Sequence, residues 1–393
     1  MLAVAQFRRA FFLSTETFIY NYLTALRRVV PVCIAFQKTN LKQFPFEHPL
    51  VELYSWDIWN RGWRWVRGGF WKKESYLKEK ESYFKYDLPK TFETLERHNV
   101  SVLHAHFGFT GSRILPVKHE TGLPLVTTFY GVDTSVLPRS EKWLRAYEHL
   151  FAEGDLFLVE GPYMRQRLLE LGCLPEKANI QRIALPVYRY PFRHRLPKGK
   201  SDKVRVLFCG TFKEKKGLSC ALDAVRYAHE RFSNLEFRII GDGELRSQIE
   251  KKIDRHQMNS YTILLGFQSH KRMIEEMDTA DIFIHPSVTA ANGDSEGGAP
   301  TTILEAQVCG LPVVSTTHAD IPSIVVPGES AMLAPERDVA TLGNYLCTLL
   351  SEPERWAEMG MLGRSFVEQY HNVSTEISAL EERYYTLAGT EMA

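Results

Sequence analysis

Several features that would identify common classes of protein are missing from this 393-residue sequence. No apolar run reaches the roughly 18 residues that a membrane-spanning helix needs. Arg8 and Arg9 interrupt the apolar N-terminus, where a secretory signal peptide would continue. The six cysteines are scattered, with no Cys-x-x-Cys pair and no His/Cys cluster at zinc-ligand spacing. We therefore expect a cytoplasmic protein with buried thiols, and contact with the inner face of a membrane is an open alternative.

Charge and glycine patterns exclude two further classes. The 48 basic and 47 acidic residues leave a formal net charge of +1, which argues against a dedicated nucleic-acid binder. No Gly-x-Gly-x-x-Gly follows the first apolar run, which disfavours a Rossmann dehydrogenase. With 44% hydrophobic and 24% charged residues, the composition is that of an ordinary globular protein.

Short β-branched runs alternate with helical periodicity along the chain. Such alternation, with nearly continuous apolar strands, predicts parallel sheets covered by helices on both faces. Helical patterns occupy 215–232, 243–257 and 337–351, and the final stretch, 352–388, is also helical. The predicted strands fall into two series: 1–7, 29–36, 101–107, 123–129 and 155–160, then 203–210, 235–241, 261–266, 281–286 and 311–316.

The two series predict two doubly wound domains. Residues 1–185 form the first and 204–365 the second, joined by a proline-rich and charged linker at 186–203. We expect 366–393 to form a C-terminal helix that packs back toward the N-terminal domain. Each sheet presents a binding edge at the carboxyl ends of its strands, so we expect a ligand in the cleft between the two edges.

A glycine-rich acidic loop, "GDSEGGAPTTILEAQVCGLPVVS" at 293–315, runs into one predicted helix. Gly297 and Gly298 let the backbone approach a ligand, and Pro300 suits the first helical position. The N-terminus of this helix, at 299–302, favours a phosphate. Predicted contacts with the phosphate therefore include Gly297, Gly298, Ala299, Pro300 and Thr301.

Two glutamates flank this helix start. Glu305 lies in the second turn, where it can accept hydrogen bonds from the vicinal hydroxyls of a ribose. Glu296 lies in the loop, where it can contact a sugar or stabilise a developing positive charge. Phosphate, ribose and sugar together describe a nucleotide sugar; the alternative is a solvated loop with two surface glutamates.

The segment "EGGAPTTILEAQVCGLPVVST" resembles the signature of the family-4 retaining glycosyltransferases, the large group 1 family with the GT-B fold of two Rossmann-like domains. That signature separates its two glutamates by seven residues, whereas eight separate Glu296 from Glu305 here. The placement of Glu296 is therefore less firmly indicated than that of Glu305.

Other segments of the second half resemble the same family. In "VRVLFCGTFKEKKGL", Lys216 matches a lysine that grips the donor diphosphate, whereas Thr211 stands where the family has an arginine. Lys213 or Lys215 is a candidate to replace that charge, although a lysine run is more often a solvated face. By resemblance, "FRIIGDGELR" and "HPS" place three more residues against the donor: Gly241, Gly243 and Ser287.

The first half resembles exopolysaccharide-type members, such as the colanic acid and amylovoran enzymes. "FFLSTETFIYNYL" matches their opening segment and implies Ser14 on the acceptor side. In "LVTTFYGVD", Tyr130 replaces a histidine that faces the donor sugar, yet its hydroxyl can still donate a hydrogen bond. His106 of "LHAHFGFTG" is a candidate to substitute for that histidine, or is a satisfied core residue. Asp133 either orients a substrate hydroxyl or caps the next turn.

An aromatic and basic stretch at 54–73 lies in the part of the chain, about 40–95, where this resemblance is weakest. It interleaves tryptophans with arginines and lysines, a composition that favours the membrane–water interface and anionic headgroups. Packing onto its own domain or against another subunit is the alternative, and single-stranded nucleic acid is disfavoured. The tryptophans are Trp56, Trp59, Trp63, Trp65 and Trp71.

The resemblance implies a retaining glycosyltransferase that moves a sugar from a nucleotide-diphosphate donor to a lipid-linked or polysaccharide acceptor. It implies catalytic roles for Glu296, Lys216, His106 and Tyr130. The chain contains no Asp-x-Asp, so we expect neither a metal nor another cofactor. Two alternatives remain: a non-catalytic subunit that binds nucleotide sugars, and an epimerase or hydrolase on the same fold.

Overall fold

The computed structural model of the protein describes residues 1–13, 17–36, 40–53, 87–199 and 202–391. It contains one sheet of seven strands and one of six, and all of their neighbouring strands are parallel. The predicted class, two doubly wound domains of the GT-B type, is confirmed.

The first half of the chain forms the seven-stranded sheet, and this sheet with its helices is called the N-terminal lobe. Its strands are β1 (Leu2–Arg8), β2 (Val29–Ala35), β3 (Leu50–Glu52), β4 (Val100–His106), β5 (Leu125–Thr128), β6 (Leu156–Val159) and β7 (Ala178–Ile180). They lie in the order β3-β2-β1-β4-β5-β6-β7. The helices are α1 (Thr17–Ala25), α2 (Leu88–Arg97), α3 (Gly108–Thr121), α4 (Gly131–Ser135), α5 (Glu141–Glu153) and α6 (Pro162–Glu170).

The second half forms the six-stranded sheet of the C-terminal lobe. Its strands are β8 (Val204–Cys209), β9 (Leu235–Ile240), β10 (Thr262–Gly266), β11 (Ile282–His285), β12 (Val313–Thr316) and β13 (Ala331–Ala334). They lie in the order β10-β9-β8-β11-β12-β13. The helices are α7 (Leu218–His229), α8 (Arg246–Arg255), α9 (His270–Thr279), α10 (Thr301–Val308), α11 (Val339–Ser351), α12 (Arg355–Tyr370) and α13 (Val373–Leu387).

Alternation along the central strands explains why both faces of each sheet are covered. On β8, Val206 and Phe208 enter one hydrophobic core, while Leu207 and Cys209 enter the core on the opposite face. Successive side chains of a strand point to opposite faces, so a continuous apolar run needs helices on both sides. The runs predicted as strands from the sequence all form strands.

Three short strands escaped prediction from the sequence. They are β3, β7 and β13. Each contains three or four residues and lies at the edge of its sheet. Segments this short do not show a period of two, and their pairing depends on the neighbouring strand rather than on their own pattern.

The chain crosses between the lobes at two adjacent places. Leu185 N donates to His371 O at 2.8 Å, and Val373 N donates to Leu185 O at 3.0 Å. Helix α12 buries Trp356 in a core of the C-terminal lobe, whereas α13 buries Leu380 in a core of the N-terminal lobe. The second crossing thus lies at 371–373, beyond the predicted boundary at 366.

The segment predicted as a linker is mostly exposed, but it is fixed to the C-terminal lobe at single residues. Arg195 is 1% exposed and donates to Met277 O at 2.7 Å, so this part of the chain lies against α9. Lys198 Nζ also pairs with Asp281 Oδ2 at 2.5 Å. Among the residues that the structure describes, no helix is long and apolar enough to cross a membrane.

Candidate functional site

Loops at the carboxyl ends of the two sheets are in direct backbone contact, and glycines make this contact possible. A side chain at Gly131 would overlap the carbonyl oxygen of Glu296, and one at Gly297 would overlap Gly131. Gly297 also has φ +75°, a conformation that favours glycine. The loop containing Glu296 therefore lies directly against the start of α4, between the lobes.

A second contact between the lobes uses a carboxylate as a helix cap. Asp320, 1% exposed, accepts from Tyr163 N at 2.7 Å and from Met164 N at 3.2 Å. Those amides belong to the first turn of α6 in the opposite lobe, where free N–H groups favour a negative charge. The cleft is therefore closed on this side by Asp320 of the C-terminal lobe.

Beside the contact between Gly131 and the Glu296 loop, Lys216 and Glu296 form an ion pair. Lys216 Nζ lies 2.8 Å from Glu296 Oε2, and the two side chains are 19% and 6% exposed. Ser287 Oγ donates to Glu296 Oε1 at 3.0 Å, so both carboxylate oxygens have a donor. The structure thus brings together three residues that the sequence placed in the donor site.

A glycine explains how Lys216 reaches this position. Gly217 has φ +69°, and a side chain there would overlap the carbonyl oxygen of Pro286. The turn after β8 therefore packs against the end of β11, and Lys216 is carried next to Ser287.

Burial and charge oppose each other at Glu296. Burial raises the pKa of its carboxyl, but the neighbouring Lys216 and Lys215 outweigh this effect and lower the pKa to about 2. Glu296 is therefore ionised throughout the physiological range.

Further contacts hold the Glu296 loop in place. Lys215 Nζ donates to Asp294 Oδ1 at 3.0 Å and to Ser295 O at 2.9 Å, so this lysine supports the loop and belongs to no solvated run. The Glu296 amide donates to His318 Nε2 at 3.1 Å, and His318 Nδ1 lies 2.6 Å from Glu336 Oε1.

Helix α10 begins one residue later than the sequence indicated. Pro300 is its N-cap, with ψ 123°, and Thr301 is the first helical residue. The prediction that Pro300 occupies the first helical position is therefore wrong by one residue, because proline's fixed φ also fits the extended cap. The hydroxyl of Thr302 is buried in this first turn, and among the described residues it has no hydrogen-bond partner.

A carboxyl from the N-terminal lobe already lies at this helix start. Glu160, which follows β6, accepts a hydrogen bond from the Ala299 amide, and a side chain at Gly298 would overlap its carboxylate. Burial, together with the nearby Asp320 carboxylate, raises the pKa of Glu160 to about 8. Sequence reasoning missed Glu160, because it lies at the end of an ordinary strand pattern.

Glu305 lies in α10 as predicted, but its partners come from elsewhere. The carboxylate is 4% exposed. Oε1 accepts from the Tyr190 hydroxyl at 2.9 Å and lies 2.8 Å from His270 Nε2. The bond to Glu305 raises the pKa of His270. A ribose hydroxyl that binds Glu305 would have to replace one of these donors or use the second oxygen.

The glycine turn after β9 lies next to the loop after β8. A side chain at Gly241 would overlap the carbonyl oxygen of Gly210, and one at Gly243 would meet the backbone of Phe212. Thr211 lies between those two residues and is half-buried. Thr211, Gly241 and Gly243 are therefore neighbours at the carboxyl edge of the second sheet.

In the N-terminal lobe, His104 and His106 lie on the same side of β4, as their alternate positions predicted. Their rings are stacked with centroids 4.6 Å apart. His106 Nδ1 lies 3.0 Å from the Tyr130 hydroxyl, and Tyr130 is the N-cap of α4, next to the contact with Glu296. His106 is 1% exposed, so it contacts the cleft through Tyr130.

Of the two interpretations of Asp133, the structure shows the cap. Its carboxylate is fully buried and accepts from Tyr130 N at 2.8 Å and from Gly108 N at 2.8 Å. Burial raises the pKa of Asp133 to about 7, against the effect of these backbone donors. Assigning it to a substrate hydroxyl is corrected, because both oxygens already have donors and no solvent reaches them.

Two predicted regions lie outside the described residues: Ser14 and the tryptophan stretch at 54–73. Within the residues that the structure does describe, no group of three or more His, Cys, Asp or Glu side chains is arranged to hold a metal ion.

Comparison with known proteins agrees with this geometry. Residues 192–366 match the family described as "Glycosyl transferases group 1". The amylovoran biosynthesis glycosyltransferase AmsK of Erwinia amylovora is 32% identical over 286 residues, 72% of this chain and 69% of AmsK. The putative colanic acid biosynthesis glycosyltransferase WcaL of Escherichia coli is 33% identical over 62% of this chain, and the match spans 60% of WcaL.

Among solved structures, Anabaena HepE in complex with UDP and glucose is similar in fold. It superposes with a TM-score of 0.75 over 98% of this chain and 100% of its own, at 16% identity. The fold, the family match and the similarity to AmsK together show that this chain belongs to the group 1 glycosyltransferases with the GT-B fold.

Proposed function

We propose that the protein is a retaining glycosyltransferase that takes a sugar from a nucleotide-diphosphate donor. The observation that carries this proposal is the Lys216–Glu296 pair, which lies in the cleft at 2.8 Å, beside the loop that leads into α10. A cation next to a helix N-terminus suits a diphosphate, and a buried carboxylate suits the sugar attached to it.

The residues of this site divide the tasks of the proposed reaction among them. Lys216 and the first turn of α10 stabilise the negative charge that develops on the leaving diphosphate. The Thr302 hydroxyl, which has no hydrogen-bond partner within the described part of the chain, is a further donor for a phosphate oxygen. Glu305 binds the ribose, and the ionised Glu296 stabilises positive charge at the anomeric carbon while Ser287 and Lys216 fix its orientation.

No protein base is required in this scheme. If the acceptor hydroxyl attacks from the face that the diphosphate leaves, a phosphate oxygen takes the acceptor proton, and the anomeric configuration is retained. The two-carboxylate arrangement of glycosidases is then unnecessary. Because Lys216 and the helix amides already neutralise the diphosphate, we propose that transfer is independent of metal ions.

The names of the relatives suggest the acceptor. AmsK and WcaL are named for amylovoran and colanic acid biosynthesis, so we propose a polysaccharide or lipid-linked glycan intermediate as acceptor. A lipid-linked acceptor would place the enzyme at the inner face of a membrane. Contact through the tryptophans at 54–73 is part of this proposal, and flotation with anionic liposomes tests it. Wild-type protein should float, and replacing Trp63 and Trp65 with alanine should abolish flotation.

The experiment that tests the function has two stages. Calorimetry with UDP, GDP, ADP and their common sugars, in EDTA, should reveal one nucleotide that binds. Transfer from the matching nucleotide sugar to membrane lipid extracts should then produce a glycoside with the anomeric configuration of the donor, measured by proton NMR. An inverted product, or transfer only with added divalent metal, would contradict the mechanism.

One alternative is favoured by a specific observation. Thr211 stands where the family has an arginine, so the donor site lacks one expected cation. A non-catalytic subunit would bind the nucleotide sugar without turnover even with crude lipid acceptors. Product analysis in the same assay also distinguishes an epimerase or hydrolase, which would release a different nucleotide sugar or free sugar.

A further inference from the structure

A buried histidine connects the site to the interior of the C-terminal lobe. His285 is the last residue of β11, and its Nδ1 lies 3.0 Å from the Ser287 hydroxyl oxygen. The same hydroxyl lies 3.0 Å from Glu296 Oε1. His285 and Ser287 are both fully buried. Glu296 is therefore linked to a core imidazole through a single hydroxyl group.

The surrounding core holds the His285 ring in one place. The rings of Phe208 and Phe283 stack with the imidazole at centroid distances of 5.2 Å and 6.2 Å, tilted by 4° and 15°. The His285 carbonyl oxygen accepts from Ser315 Oγ at 2.6 Å, which fixes the end of β11 to β12. Side chains in a close-packed interior keep one rotamer, so Nδ1 stays directed at Ser287.

The charge on Glu296 decides where the Ser287 proton goes. Glu296 is ionised beside Lys216, so its oxygens can only accept hydrogen bonds. The single proton of the Ser287 hydroxyl therefore points to Glu296 Oε1. The Ser287 oxygen is then an acceptor toward His285, and the imidazole carries its proton on Nδ1.

The opposite direction of these bonds is less favourable. If the proton were on Nε2, Ser287 would donate to Nδ1, and its oxygen would face the Glu296 carboxylate with no proton between them. Nε2 has no hydrogen-bond partner among the residues that the structure describes, so a buried N–H would also lack an acceptor. Burial lowers the pKa of His285 to about 3, so the ring is neutral and cannot donate from both nitrogens.

We propose that His285 is a positioning residue that acts through Ser287 to hold the Glu296 carboxylate in its reactive orientation. Ser287 donates to Oε1 and Lys216 to Oε2, while the imidazole keeps the hydroxyl from rotating away from Glu296. Ser287, which the sequence placed against the donor, then acts on the donor through Glu296. The sugar beside Glu296 rests on the proposed function.

The position of the imidazole proton tests the inference without any substrate. In protein labelled with nitrogen-15 histidine, the His285 resonances, assigned by their loss in His285→Asn, should show the proton on Nδ1 at pH 7.5. His371 is a reference in the same spectrum, because its Nδ1 lies 2.9 Å from the Ile183 carbonyl oxygen, which can only accept. A proton on Nε2 of His285 would overturn the proposal.

Two replacements of His285 separate hydrogen bonding from packing. The amide of His285→Asn can take the place of Nδ1 and donate to Ser287, whereas His285→Leu cannot donate. We expect kcat to fall about tenfold in the leucine variant and less than about threefold in the asparagine variant. KM for the donor should change less than about twofold, because Glu296 acts on charge that develops in the transition state. Equal losses of kcat in the two variants, both folded by circular dichroism, would indicate a packing role and contradict the proposal.

A double variant tests whether the effect passes through Ser287. If it does, His285→Leu should lower kcat less than about twofold in protein that already carries Ser287→Ala, because the connection is already broken. Losses that multiply would show that His285 acts by another route. If wild-type protein transfers no sugar, the proposed function fails, while the His285 proton still decides whether Ser287 donates to Glu296.

Discussion

The two sides of the cleft are built on opposite electrostatic principles. On the C-terminal side, Lys216 and Glu296 carry full charges that balance each other at 2.8 Å. On the N-terminal side, His106 and His104 are buried and neutral, and hydrogen bonds through Gln6 and Tyr384 connect them. Charged side chains stabilise a leaving diphosphate, whereas uncharged hydrogen-bonding groups orient the hydroxyls of a sugar. The reaction we propose needs both.

The largest effect should come from breaking the charged side. Lys216→Ala should lower the transfer rate by about a hundred- to a thousandfold, because the charge on the leaving group loses its cation. Lys251→Ala is the control, since Lys251 is an exposed lysine on α8, outside the loops of the site. A rate near that of wild type in the Lys216 variant would show that the diphosphate is held elsewhere.

A Glu305 variant tests whether the ribose of the donor binds on the charged, C-terminal side of the cleft. Glu305→Ala should weaken nucleoside diphosphate binding about a hundredfold, because a charged acceptor of the ribose hydroxyls is lost. Titration calorimetry measures this, with the exposed Glu275→Ala as control. Because His270 and Tyr190 also lose their partner in this variant, circular dichroism is needed to show that the fold is intact. An affinity equal to that of wild type would contradict the assignment of Glu305 to the ribose.

Acid should test whether His104 is buried in its neutral form. Burial lowers the pKa of His104 from 6.5 to about 3, so its stabilising effect is complete at high pH and is lost as pH falls below 6.5. At pH 5 the cost is about 2 kcal/mol, because the unfolded chain binds a proton that the folded chain refuses. Glu296, with a pKa lowered to about 2, loses its contribution only below about pH 4.5.

The free energy of unfolding in urea, measured at pH 7.5 and pH 5, tests this difference. Between those two values, the gap between wild type and His104→Gln should shrink by about 2 kcal/mol, since glutamine does not titrate. A gap independent of pH would mean that the pKa of His104 is the same in the folded and unfolded chains, which contradicts its burial as a neutral ring.

The smallest effect should come from the neutral side at the cleft. Tyr130→Phe should lower the transfer rate about three- to tenfold, the loss of one uncharged hydrogen bond. The ratio of kcat/KM between variant and wild type measures it, with Tyr163→Phe, an exposed ring on α6, as control. A loss as large as that of Lys216→Ala would contradict the division between charged and neutral sides.

Local patterns in the sequence were sufficient for the central strands of both sheets, and the family resemblance indicated the residues of the charged side. Continuous apolar runs predict the central strands, and the segments around Lys216, Ser287 and Glu296 each follow a strand of the same sheet. The carboxyl ends of parallel strands meet at one edge, so their convergence follows from topology. The cap of α10 was misplaced by one residue because proline fits both positions.

Partners that come from distant parts of the chain could not be predicted. Tyr190 and Glu305 are 115 residues apart, and Gln6 and Tyr384 are 378 residues apart. No periodicity connects them, because each contact depends on how two separately formed elements pack. Glu160 and Asp320 were missed for the same reason, since their contacts exist only where the two lobes meet.

Calorimetric titration of wild type and Lys216→Ala with UDP, GDP and ADP, in EDTA, tests the central claim most directly. We predict that one nucleoside diphosphate binds wild type and loses at least about tenfold in affinity in the variant, because the variant lacks the Lys216 ammonium group that pairs with the diphosphate. Binding of equal strength to both proteins, or to neither, would contradict the claim.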